Sequence, residues 1–263
     1  MRDIEIVKRI EELRIFRSLI GVDLSSSDIG RIWGPQYSKN SEMVECNQLN
    51  GEAEEKIHLL KRSLSHFLFF DKVKFIGISG SVGAGSAKKE DDIDLFIVVE
   101  DDFMWIYRLF LELSNLFGGR IRLKKDKNDV KDKFCVNLIA EERGIVFDND
   151  IFNFHELMFL KPVYNEKYMR HILFANEWVF DDWGVRSYPK SVEYVRTTNP
   201  VKKVLNEICF LMQLSFMYIS NHSPDYARLK KNNSIGRIEF FPQEFKSKKM
   251  KNYMRRLKSN QSV

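Results

Sequence analysis

At 263 residues, with 44% hydrophobic and 30% charged side chains, the chain matches soluble globular proteins and is long enough for one large or two small domains. Disordered, collagen-like and disulfide-stapled classes are excluded, and three cysteines (Cys46, Cys135, Cys209) with no CxxC pair point to a reducing compartment. The net charge of +5 is too small by itself to argue for a nucleic-acid partner, but it is unevenly placed, with eleven Lys and Arg against two Glu between Ala227 and Val263.

The opening MRDIEIVKRIEELR is charged throughout, unlike a secretory signal, so a cytoplasmic protein is expected. Ile6, Ile10, Leu13, Phe16 and Ile20 recur at helical spacing and predict an amphipathic helix. Asp23 to Asn50 contains Gly30, Gly34, Pro35 and a Ser/Asn cluster, and reads mostly as loop. Ile57, Leu60, Leu64, Phe67 and Leu68 predict a second helix from Glu52 to Phe70. The period then changes. Val73 to Ile78 reads as a strand, and Asp92 to Val99 as a stronger one. Asp102 is placed to N-cap a helix through about Phe117, with Gly118-Gly119 ending it.

Ile121 to Leu123 and Phe134 to Ile139 read as further strands around a charged turn from Lys124 to Lys133. Beyond Asp150 the pattern is helical, with a long helix from about Val201 to Tyr218. The longest apolar run, Ile208 to Ile219, is interrupted by Gln213 and Ser215 and is too short for a membrane span, so no membrane partner is expected. In the basic end, Met250, Tyr253, Met254 and Leu257 form a helical stripe. A solvated helix face is therefore the first reading of its charges and an RNA contact the second. The expected architecture is α+β: a helical region over 1–70, a core with a small sheet over 71–147, and a helical region with a basic end over 148–263.

The chemistry is concentrated in Gly77 to Val99, GISGSVGAGSAKKEDDIDLFIVV. Asp92 and Asp94 are one residue apart in a strand and point to one face. Two carboxylates side by side on an apolar strand repel unless a cation lies between them, and Mg²⁺, with Mn²⁺ as a substitute, suits such oxygen donors. Upstream, Gly80-Ser81 follows a strand, where a slim backbone lets amide and hydroxyl donors approach an anion. Together these features describe a site for a nucleoside triphosphate with its magnesium. A P-loop is excluded because Ser86-Ala87 replaces Lys-Ser/Thr, and a dinucleotide loop because Lys88 stands at the third glycine.

The strand, Gly80-Ser81, the spacer and Asp92-Ile93-Asp94 resemble the DNA polymerase β-like nucleotidyltransferase superfamily. Gly80, Ser81, Gly85, Ala87, Asp92 and Asp94 fall on the pattern of its minimal members without a gap, and the segment from Phe134-Cys135-Val136-Asn137 to Asn176-Glu177-Trp178 looks like a bacterial subgroup of unknown substrate. The resemblance implies the family's small mixed sheet and transfer of a nucleoside monophosphate from a triphosphate, ATP first. In it Asp92 and Asp94 are catalytic, Gly80, Ser81, Gly85 and Lys88 bind nucleotide, and Asp92, Asp94 and Asn137 hold metal. The pattern departs in three places. Gly83 replaces a usual alanine, Val82 and Ala84 replace frequently basic residues, and Phe134 to Ile139 lacks the family's third carboxylate, showing Cys135, Asn137 and Ile139 on one face. Either another acid substitutes, or the fold serves as a weakened nucleotide- or RNA-binding regulatory module. Arg108 and Lys133 read first as a helix-face and a strand-end charge and only second as phosphate partners, Trp178 reads as packing, and the acceptor is left open among protein hydroxyls, small molecules and RNA 3′ ends.

Overall fold

The stripe of Ile6, Ile10, Leu13 and Phe16 folds as α1 (Arg2–Leu19) and is buried along that helix. The structure, a computed structural model, describes residues 2–38, 50–68, 71–116, 121, 130–186, 199–219, 226–239 and 243–261. The segment expected to be loop instead contains α2 (Ser26–Ile32) and the short α3 (Pro35–Ser38). The reason is a cap. The Ser25 hydroxyl accepts from the Asp28 amide at 3.0 Å and donates to its carboxylate at 2.8 Å, while Ile29, Ile32 and Trp33 bury the inner face. Next, α4 (Gly51–Arg62) starts at Asn50, whose side chain accepts from the Ala53 amide at 2.9 Å. It ends earlier than predicted, in a 3₁₀ turn over Leu64–His66.

The core elements follow as β1 (Val73–Ile78), α5 (Gly80–Gly83), β2 (Ile93–Val99), α6 (Met104–Leu116) and β3 (Phe134–Glu141). Asp102 is not the cap of α6: it adopts φ 59° two residues before the helix. That cap comes from elsewhere in the chain, because Asn206 Oδ1 accepts from the Trp105 and Ile106 amides at 2.8 and 3.3 Å. Ile121 makes a single bridge to Phe134, while the glycine stop at 118–119 and the rest of that expected strand lie outside the described residues.

The region after Asp150 is not purely helical. It runs α7 (Ile151–Phe159), β4 (Lys161–Tyr164), α8 (Tyr168–Phe174), α9 (Trp178–Asp181), α10 (Pro200–Ile219), α11 (Tyr226–Ile235), β5 (Arg237–Glu239) and α12 (Gln243–Gln261). Strands of four and three residues, one with Pro162 at the sheet edge, are too short to show alternation. They complete a five-stranded mixed sheet in the order β4-β1-β2-β3-β5, so the class is α+β. Only β2 and β3 run parallel among its pairs.

Both faces of the sheet are covered, which explains why β2 reads as continuously apolar. Ile93, Leu95, Ile97 and Val99 face a layer built with Leu60 of α4, Trp105 of α6 and Phe210 of α10. Phe96 and Val98 face the opposite layer with α1, α2, α7 and Tyr253 of α12. Asn176 is fully buried there, its amide donating to the Ile145 and Ile172 carbonyls and its oxygen accepting from the Phe147 amide. Trp178 packs nearby and donates to the Phe147 carbonyl at 3.1 Å. None of the described helices is long and apolar enough to cross a membrane.

His155 of α7 lies between Phe16 and Phe159, with ring centroids 5.4 and 4.9 Å away, and its burial pushes its pKa below the ordinary histidine value. The unfolded chain takes up a proton as pH falls through about 6.5 while folded His155 stays neutral, so stability is lost on acidification. His171, lowered by burial too, acts in the same direction. Urea midpoints are expected to fall between pH 7 and 5. The His155→Phe variant should flatten that slope by at most about 1.4 kcal/mol per pH unit, and an unchanged slope would contradict the assignment.

Candidate functional site

The site begins where β1 ends. Gly80 takes φ +63°, and a Cβ there would collide with the Asp94 carboxylate, so glycine is required both by the left-handed turn and by the acid resting on it. The Ser79 amide donates to the Asp94 carbonyl at 2.9 Å, which fixes the end of β1 against the start of β2. The intervening loop is closed by an acid not singled out in the sequence. Asp91 Oδ2 accepts from the Ser81 hydroxyl at 2.7 Å and from the Lys88 amide at 2.9 Å. From below, α4 anchors the same loop. Asn50 Nδ2 donates to the Ala87 carbonyl at 2.6 Å, and the Lys56 ammonium donates to the Lys89 and Asp91 carbonyls at 3.2 and 2.8 Å. Lys56 is only 2% exposed and completes its shell with Asp132 at 2.7 Å.

On the other side of β2, the parallel register sets Cys135 beside Asp94 and slips between Leu95 and Phe96. This bulge changes the expected face of β3. Cys135 and Asn137 remain on the side of Asp94, but Leu138 now joins them in that layer and Ile139 turns to the opposite one. One ligand atom each from Asp92, Asp94 and Cys135 lies within 4.8 Å of the others, a grouping able to hold a metal ion. Asn137 Oδ1 is 3.3 Å from Cys135 Sγ and accepts from the thiol. Two carboxylates are hard donors suited to Mg²⁺ or Mn²⁺, and the thiol shifts the set toward the softer of the two.

Asp92, Asp94 and Asn137 open into a cleft of about 310 Å³ between the end of the sheet, α7 and α12. Its polar wall is acidic, with Asp91, Asp92, Asp94, Glu156 and Glu239, and Lys249 of α12 is the lysine among them. Burial lowers the Lys249 pKa, and the nearby Glu156 and Asp94 carboxylates oppose that shift. Ile20, Phe147 and Phe152 supply an apolar wall.

The structure thus brings together five of the residues expected at the site: Gly80, Ser81, Asp92, Asp94 and Asn137. Gly85 takes φ +81° in the turn but does not line the cleft, and the Lys88 side chain is exposed outside it. Arg108 pairs with Glu112 at 2.8 Å on α6, and Lys133 gives its carbonyl to the Ile93 amide. Sequence reasoning missed Asp91, Cys135 as a donor, Glu156 and Lys249. The run Glu90-Asp91-Asp92 contained a signal for the first, whereas Glu156 and Lys249 reach the cleft only through the tertiary fold. No family model, curated protein or solved structure matches the chain.

A Gly80→Ala variant should displace the Asp94 carboxylate and cost about 1–2 kcal/mol of backbone strain. Mn²⁺ affinity, followed by electron paramagnetic resonance, is expected to fall about tenfold. A folded variant with wild-type affinity would detach Gly80 from the site.

Proposed function

We propose that the protein is a metal-dependent nucleotidyltransferase that transfers a nucleoside monophosphate from a nucleoside triphosphate, ATP first, to an acceptor. The observation that carries this reading is the Asp94 carboxylate seated on Gly80, with Asp92 beside it on the wall of one cleft and Cys135 within metal-sharing distance of both. Asp92 and Asp94 hold Mg²⁺ or Mn²⁺, whose chemistry when bound is to neutralise phosphate charge and acidify an acceptor oxygen. The left-handed turn at Gly80 brings its backbone against the Asp94 carboxylate, beside the place of the metal-bound triphosphate. The Ser81 hydroxyl, which donates to Asp91, must exchange that acid for a phosphate oxygen when nucleotide binds. Lys249 supplies the cleft's ammonium for the polyphosphate, a role that the buried Val82 and Ala84 of the loop cannot take. Glu156, on the cleft wall, replaces the missing third carboxylate as proton acceptor.

The absence of an acid on the cleft face of β3 favours a second reading, a weakened fold that binds nucleotide or RNA without transfer. Its RNA arm draws on α12, which buries Tyr253 and leaves Lys248, Lys251, Arg255, Arg256 and Lys258 exposed. Incubation with each α-labelled nucleoside triphosphate and Mn²⁺ in cell extract separates the two readings, because only transfer leaves label on an acceptor. The labelled species also distinguishes RNA, protein and small-molecule acceptors.

Calorimetry is expected to show Mg²⁺-dependent ATP binding that weakens about tenfold or more in Asp92→Asn and Asp94→Asn. Undiminished Mg²⁺-dependent affinity in both variants would end the metal assignment. Lys249→Ala should weaken ATP binding by about 1.5–3 kcal/mol while changing AMP binding little, and Lys249→Arg should retain most of it. Equal losses for ATP and AMP would place Lys249 away from the polyphosphate.

A further inference from the structure

Helix α10 is built inside out. Its buried side carries Asn206, Phe210 and Gln213, and both amides reach α6: Asn206 caps that helix, and Gln213 Nε2 donates to the Trp105 carbonyl at 2.8 Å. Its outward side carries Val201, Val204, Leu205, Ile208, Leu211 and Met212, all exposed. The last turns continue the surface with Phe216, Tyr218 and Ile219 at 69, 71 and 81% exposure. Most of these positions follow the i, i+3, i+4, i+7 rule, with Ser215 the polar residue in the stripe. This is the seam of a helix that packs against another helix. On the neighbouring α6, Phe110 and Leu113 are exposed as well.

We propose that α10 is the contact surface through which two copies of this chain pair. Nine large apolar side chains at roughly 100 Å² each come to about 900 Å², enough for the roughly 800 Å² per partner that a standard interface buries and above the patch of about 300–600 Å² carried by an ordinary monomer. A stripe free of charge along its seam is complementary to itself, as a two-fold contact demands. Antiparallel pairing also sets the N-terminus of each helix beside the C-terminus of the other, so the helix dipoles attract. The helix spans 20 residues, about 30 Å, which is room for a continuous contact of several turns. This pairing is independent of the nucleotidyltransferase reading, because α10 lies on the layer of the sheet opposite to the cleft.

Sedimentation of the full chain at micromolar concentration tests the pairing. The wild type should sediment at twice its 31.1 kDa, and Ile208→Glu combined with Leu211→Glu should sediment at 31.1 kDa with an unchanged circular dichroism spectrum. Val7→Glu, at an exposed apolar position on α1, should remain paired. The wild-type melting temperature should also rise with protein concentration, a dependence that needs no variant. A wild type that is monomeric with a concentration-independent melting temperature overturns the proposal. So does a double variant that still pairs, or a monomer captured by phosphatidylcholine vesicles.

Discussion

A carboxylate at the end of a strand covered on both faces must be held by its surroundings, and the architecture around Asp94 follows from that constraint. Ile93 and Leu95 on either side belong to one core layer, while Phe96 and Val98 continue Asp94's own side into the other. Asp94 therefore sits where the second layer stops, with one side against apolar packing and the other against open space. Gly80 gives up its side chain to make that position possible. The turn at Gly80 in turn needs its loop closed, which Asp91 does from within and the buried ammonium of Lys56 does from α4. The helix before the sheet thus serves the site without lining it.

Much of this arrangement was readable along the chain because it is local. The two central strands, their connecting glycines and the paired aspartates lie within one segment, where alternation and spacing carry the information. The unread parts share a physical cause. Ser25 and Asp28 make a helix from a polar stretch through a cap that composition hides. Asn206 caps α6 from a hundred residues away, which no window around Asp102 can reveal. The slip in register at Leu95 moves Ile139 to the opposite face, because a bulge depends on the partner strand and not on the strand's own sequence. For the same reason Glu156 and Lys249 carried no mark: their neighbours in space are not their neighbours in the chain.

The basic end illustrates how composition can mislead in both directions. Its apolar stripe does pack, with Tyr253 buried against Phe16 at 6.0 Å between ring centroids. Its charges nevertheless divide among different tasks. Lys246 is bound to Asp150 at 2.8 Å, Lys249 enters the cleft, and several others face solvent. A count of positive charges treats these as one patch, whereas the helix sorts them by face.

The position of Lys249 also bears on how the site comes into being. The Gly80 turn and the aspartates lie within β1, β2 and the loop that joins them. The wall that carries Lys249 is contributed by α12, which follows both edge strands, β4 and β5, in the chain. The acidic end of the sheet is thus encoded well before the lysine that balances it. Closing the cleft requires contacts of long sequence separation, whose loop-closure entropy makes them slow to form. The complete charge pattern belongs only to the finished fold.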